Sequence, residues 1–283
     1  MKRFLSVALF FLLASPVFAD DIRFSVVEVK DSRTTGQFFA GLDLKLRAMG
    51  DIIADAKGLK IDVTKALDDT GRDLLKKDGQ KCEEFTKPDE NNTSQADIEL
   101  KLKNPARKAA VVREVAGEIS VFMPKRDPNA TATVKAFVTH TGKPIEEKAL
   151  KAAGVGLSVM TKKQFDEFKE QQKKEVKSKE GEMVREFGEA MTKALQSLFG
   201  GFMEIGENSI ILDVTDPGNK VVSIEFSDAT GKALRSGSSM KTGDIRVFEF
   251  NEPVPQDAQL TIYLATPKSM VKMPFSITDI ALP

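Results

Sequence analysis

The chain has 283 residues and a mass of 31.1 kDa, with 42 Lys+Arg against 42 Asp+Glu, 41% hydrophobic residues, one His, one Cys, one Tyr and no Trp. Balanced charge excludes the one-sided basic footprint of a general nucleic-acid binder. A single Cys excludes an internal disulfide, and one His beside it excludes the usual His/Cys sets of a zinc or haem site.

Lys2 and Arg3 precede an apolar run from Phe4 to Leu13, and Val17-Phe18-Ala19 ends in a small residue before Asp20 and Asp21. This pattern predicts a secretory signal peptide over residues 1–19, with a retained membrane anchor as the alternative. The run is shorter than the ~18 apolar residues of a membrane span, and no later stretch reaches that length. Loss of residues 1–19 removes two basic groups and no acid, leaving 40 basic against 42 acidic residues and a charge of −2. The expectation is an exported protein, periplasmic or extracellular, in which Cys82 is a free thiol or an intermolecular disulfide partner.

An internal echo runs through the remainder. Leu59 to Leu74 and Val221 to Leu234 each read as an alternating strand followed by D-x-T-G-[RK]-x-L, at Asp68 to Leu74 and Asp228 to Leu234. Downstream, Asp97 to Pro105 matches Asp244 to Pro253, and Gly117 to Lys125 matches Ala258 to Lys268, in the same order. Correspondences kept in register predict a tandem duplication.

Period-2 alternation, as in Leu42, Leu44 and Leu46 against Asp43, Lys45 and Arg47, predicts strands near 22–30, 41–48, 58–66, 97–103, 109–113, 117–123 and 131–139 in the first half. The second half offers 154–160, 208–214, 220–227, 244–250, 258–265 and 271–279. Short strands at this density, separated by turn residues, predict a mainly β protein of two tandem immunoglobulin-like β-sandwiches. The turn residues Gly142-Lys143-Pro144 place the boundary between a first sandwich over 20–145 and a second over 146–283.

The second copy carries a long segment, 161–202, where the first has only a short loop around 32–41. Thr161 is a candidate helix N-cap, with Asp166 and Glu167 just beyond the first turn, and Glu170/Lys174, Glu175/Lys179 and Glu189/Lys193 are spaced to support a helix. Val176 is the one large apolar residue from Lys169 to Glu182, so Gly181 marks a candidate bend or hairpin tip. Beyond it, Met183, Val184, Phe187, Met191, Leu195, Leu198, Phe199 and Phe202 recur at helical spacing. The stripe either packs on the second sandwich or on Phe165 and Phe168, or associates with a second copy, or meets a partner protein or membrane surface. Its polar face mixes Glu182, Glu186 and Glu189 with Arg185 and Lys193, which disfavours the membrane. Met183, Val184, Phe187, Met191, Leu195, Leu198 and Phe199 are the partner-binding candidates.

Asp69-Thr70-Gly71 is the tripeptide of aspartic proteases, whose two lobes each give one Asp to a shared proton. Here Arg72 follows the glycine, and the second copy reads Asp228-Ala229-Thr230-Gly231, so Asp228 aligns with Asp68 and no second tripeptide exists. The alternative is a turn in which Asp caps backbone and Gly accepts positive φ. His140 sits between threonines, Cys82 lies beside Glu83 and Glu84, and no G-x-S-x-G occurs. Asp89 to Thr93 lacks regular calcium-ligand spacing, and Gly154-Val155-Gly156 and Gly200-Gly201 lack the rest of a phosphate loop. No catalytic, cofactor or metal residue is therefore expected.

The closing stretch from Tyr263 through Pro267, Pro274 and Phe275 to Pro283 resembles uncharacterised secreted bacterial proteins built from tandem immunoglobulin-like domains that close with a proline-phenylalanine strand. The resemblance implies fold and export and carries no activity. The functional expectation is an exported, non-enzymatic binding or structural module facing a protein or cell-envelope partner or a second copy. A hydrolase using paired carboxylates through Asp69 is the alternative.

Overall fold

A computed structural model describes residues 22–33, 40–76, 80–81, 85–89, 91–171, 174 and 205–283. The expected signal segment 1–19 lies outside them. In the first half the alternating segments form β1 (Arg23–Ser32), β2 (Gly41–Met49), β3 (Gly58–Asp68), β4 (Gln80–Lys81), β5 (Gln95–Leu102) and β6 (Val111–Phe122), with the short helix α1 (Asp51–Ala54) after β2. Then come β7 (Thr131–Lys135), helix α2 (Lys148–Ala153), β8 (Gly156–Val159) and helix α3 over 162–171. The last part holds β9 (Ser209–Thr215), β10 (Val221–Ser227), β11 (Ala233–Leu234), β12 (Ser238–Thr242), β13 (Ile245–Glu249), β14 (Gln259–Leu264) and β15 (Met270–Ala281).

Two expectations are corrected. The strands at 109–113 and 117–123 are one continuous strand, β6. Gly117 does not break it; it lies where β6 crosses β3 so closely that a Cβ would overlap the Asp62 carbonyl oxygen. The strand expected to 139 stops at Lys135, because Ala136 takes a left-handed φ of 49° and Phe137–His140 form a 3-10 turn. That turn drives Phe137 into full burial, its ring 5.6 Å from Phe226.

The protein is mainly β, and its described residues form four antiparallel sheets. Their orders are β1-β2-β5, β15-β6-β3-β4, β12-β13-β9-β8 and β11-β10-β14-β7. The first two sheets enclose one core, with Leu42, Leu44 and Leu46 of β2 and Ile98 and Leu100 of β5 facing Ile61 of β3 and Ile119 and Val121 of β6. The other two enclose a second core, where Leu212 and Val214 of β9 meet Leu260, Ile262 and Leu264 of β14. Each core is therefore the dry layer of a sheet-on-sheet packing.

Strand order matches between the two pairs of sheets. β3 holds the place of β10, β5 that of β13, and β6 that of β14, which are the pairs connected by the sequence echo. The edge strands do not sort at residue 145. β7 pairs with β14 of the second core, Leu260 opposite Val134, while β15 returns from the end of the chain to pair with β6, Met270 opposite Phe122 and Ala281 opposite Val111. Each sandwich thus receives its last strand from the other half of the chain. Residues Phe275 and Ile280 of β15 are buried in the first core, and Ala132 and Val134 of β7 in the second. Burying a side chain such as Phe275 contributes about 2 kcal/mol, so the exchange couples the stability of the halves.

The two crossing segments are fastened to each other. Met123 N–H donates to the Ser269 carbonyl at 2.7 Å. Asp127, nearly buried, accepts from the Thr266 hydroxyl at 2.7 Å and from the Asn129 N–H at 3.0 Å. These bonds, the Thr266 hydroxyl foremost, hold the Asp127 carboxyl below its ordinary range.

Candidate functional site

The duplicated D-x-T-G segments form the same turn. At the end of β3, Asp68 Oδ1 accepts from Thr70 N–H (2.9 Å), the Thr70 hydroxyl (2.7 Å) and Arg72 N–H (2.9 Å). At the end of β10, Asp228 Oδ1 accepts from Thr230 N–H (2.9 Å), the Thr230 hydroxyl (2.6 Å) and Lys232 N–H (3.0 Å). Gly71 and Gly231 close the two turns at φ 85° and 90°, values that glycine adopts freely. The copies differ at the second oxygen: Asp68 is fully buried and its Oδ2 accepts from Ala106 N–H at 2.8 Å. Burial pushes the Asp68 carboxyl up, but the donors outweigh it and leave it below the usual range. The Thr230 hydroxyl and its neighbours do the same for Asp228. Asp69 accepts from Ala110 N–H at 3.0 Å and so ties this turn to the start of β6. Asp68 thus has both carboxylate oxygens engaged by local donors, Asp228 has three donors on one oxygen, and Asp69 has one donor.

The insertion is described only at its base. Thr161 caps α3: its hydroxyl accepts from Gln164 N–H (3.1 Å), and Gln164 Oε1 accepts from Thr161 N–H (2.8 Å). This reciprocal pair is a capping box. Phe165 is fully buried and, with Phe168, packs on Ile211, Ile245 and Val247, the outer face of the sheet β12-β13-β9-β8. Lys169 lies over the Phe165 ring at 5.3 Å. The partner-binding candidates Met183, Val184, Phe187, Met191, Leu195, Leu198 and Phe199 lie outside the described residues, as does Cys82. A cleft of about 620 Å³ beside α3 brings Glu167 together with Asp213 and Asp244. Burial, and then the Asp244 charge, raise the Asp213 carboxyl above its ordinary value.

The junction between the halves holds a second constellation. The pairing of β10 with β14 slips between Val221 and Ser223, a bulge at Val222. Val222 and Phe85 close over Gly58, where a Cβ would stand 3.2 Å from Val222 Cγ1 and 3.0 Å from Phe85 Cβ. Phe122 bridges Phe85 and Tyr263, with ring centroids 6.2 Å from each. Lys57 lies 5.4 Å over the Tyr263 ring and 3.5 Å from Glu225. Burial, reinforced by Glu225, pushes the Tyr263 phenol up to about 12.

Beside these contacts a cleft of about 460 Å³ opens between the halves. Its charged lining is Lys60, Lys87, Lys241 and Arg246 against Asp216 alone, a local excess of three positive charges. Asp216 is committed, accepting from Lys220 N–H (2.8 Å) and Val221 N–H (2.7 Å). Lys60 lies 6.0 Å over the Phe85 ring. The apolar wall is Phe85, Val222, Ile224, Met240 and Phe248, and Ser223 in the same wall has a buried hydroxyl oxygen without a hydrogen-bond partner. Sequence reasoning missed this cleft, because its residues come from four separate stretches and no motif joins them.

Among the described residues no group of three or more His, Cys, Asp or Glu side chains is placed to hold a metal ion, and no helix is long and apolar enough to cross a membrane. No protein-family model, no curated protein sequence and no solved structure matches this chain.

Proposed function

We propose that the chain is an exported, non-enzymatic binding or structural module: two tandem immunoglobulin-like sandwiches that present their loops and the helical insertion 161–202 to a protein or cell-envelope partner. The observation that carries this reading is the anchoring of α3. Its capping box and buried Phe165 fix the start of the insertion on one outer sheet face.

Strand order supports the immunoglobulin-like assignment. The sheets β8-β9-β13-β12 and β7-β14-β10-β11 follow the ABED and GFC arrangement, with the last strand supplied from the other half of the chain. Export rests on Lys2, Arg3 and the apolar run behind them. The non-enzymatic reading is supported by Asp68 and Asp228, each with one oxygen accepting three turn donors and its carboxyl held below the ordinary range, whereas a protease pair shares a proton and has one carboxyl raised.

The test is affinity capture from periplasm and medium with the mature protein beside a version lacking residues 163–200. A partner captured by the full protein and lost with the insertion, or with Phe187→Asp and Leu195→Asp together, supports the module. Identical captures by the folded variants overturn the role given to the insertion, and a hydrolytic activity lost in Asp69→Asn overturns the non-enzymatic reading.

A further inference from the structure

We infer that the cleft between the two halves is a binding site for a small anionic molecule of the phosphate-monoester class, a compact apolar body carrying a dianionic head. The site is independent of the insertion and of the partner proposed for it.

The electrostatic argument comes first. The chain as a whole has no net charge, so a cluster of four cations with one carboxylate is a local departure from an otherwise mixed surface. Asp216 offsets one of the four cations, and its oxygens are held by backbone N–H groups, with no lysine or arginine side chain among their described donors. Glu225 lies at the margin and draws on Lys57 at 3.5 Å and on Lys87 at 4.0 Å, which leaves Lys60 and Lys241 as the cations aimed at the cleft without a carboxylate partner among the described ion pairs. Low-dielectric walls strengthen the field of such a cluster. The charge calls for an anion, and ammonium groups at several points suit a compact dianion better than one flat carboxylate.

Size and lining then narrow the class. About 460 Å³ lies within the span of small-molecule pockets and is far too little for a protein or nucleic-acid surface. Phe85, Val222, Ile224, Met240 and Phe248 supply an apolar wall for the body of the ligand, while Asn219 and Ser239 add neutral hydrogen-bonding groups. Ser223 is the independent sign. Its buried hydroxyl oxygen has no hydrogen-bond partner, and a buried polar group in the wall of a cleft calls for a ligand group to satisfy it.

The sources of such chemistry are a free phosphate and a phosphate ester, and calorimetry on the mature protein with inorganic phosphate and with phenyl phosphate as probes separates them. Tighter binding of phenyl phosphate assigns the ester; equal binding of the two leaves the anion site and overturns the apolar part. Lys60→Gln with Lys241→Gln is expected to weaken phenyl phosphate at least about tenfold, and raising the salt to weaken it further, while Lys135→Gln on β7, outside the cleft, leaves it unchanged. Ser223→Ala is expected to weaken binding with no loss of thermal stability, because it removes an unsatisfied buried group. Absence of binding by the folded wild type at millimolar probe, or full binding by the double lysine variant, overturns the inference.

Discussion

Phe275, eight residues from the end of the chain, packs against Phe24, near the start of β1, with ring centroids 5.1 Å apart. The contact spans nearly the whole sequence and exists because β15 completes the first sandwich. Replacing Phe275 with Ala leaves a cavity in that core and is expected to cost about 3–5 kcal/mol. Urea unfolding checks this, and a cost below about 1 kcal/mol would separate β15 from the first core.

The paired turns give an internal control. Asp68 is fully buried with four donors, and Asp228 has three and lies nearer the surface. Asp68→Ala leaves the part-buried N–H groups of Thr70, Arg72 and Ala106 without their acceptor and is expected to cost about 2 kcal/mol, with a clearly smaller loss for Asp228→Ala. Because its folded pKa is lowered, the Asp68 contribution is present above the ordinary carboxylate pKa of about 3.9 and is lost as pH falls through the lower folded value. In Asp68→Ala that part of the acid destabilisation disappears, which unfolding measured between about pH 5 and pH 2 reads directly.

Asp213 carries the opposite sign. Burial and Asp244 raise its folded pKa, so its stability contribution is complete below about 3.9 and is lost as pH rises through the folded value. Asp213→Asn is expected to raise the melting temperature at neutral pH and to leave it unchanged at about pH 3. A fall at neutral pH would show the carboxylate to be a required acceptor.

Tyr263 is the one tyrosine, so tyrosinate absorbance belongs to it alone. Its phenol is expected to titrate near 12 in the folded protein and near 10 when unfolded. Stability is then lost as pH rises from about 10 through 12. Titration near 10 in the folded protein would place the ring in water and dissolve the junction of Phe122, Lys57 and Glu225.

Most strands were legible because alternation is local: Leu42, Leu44 and Leu46 announce β2, and Leu260, Ile262 and Leu264 announce β14. The repeat was legible for the same reason, since the Asp68 and Asp228 turns are built from contiguous residues. Partner choice was not. Nothing in Met270 to Ala281 distinguishes pairing with the preceding β14 from pairing with the distant β6, because either neighbour accepts an alternating edge strand. β4 and β11, of two residues each, are too short to show alternation, and β12 carries Ser238, Ser239 and Lys241 on an edge with Met240 as its one large apolar residue. The basic cleft escaped because Lys60 and Lys87 meet Lys241 and Arg246 only after the halves are joined.

The exchange of last strands is tested most directly by cysteine crosslinking in a Cys82→Ser background. Glu114 and Thr278 face each other across β6 and β15, and Thr133 and Thr261 across β7 and β14, with their hydroxyl oxygens 3.5 Å apart. Cysteine pairs at 114/278 and at 133/261 are expected to form intramolecular disulfides on mild oxidation, identified by mass spectrometry of the linked peptides. Failure of both pairs, together with efficient linkage of a 261/278 pair, would mean that β15 folds back on β14 and that each half keeps its own last strand.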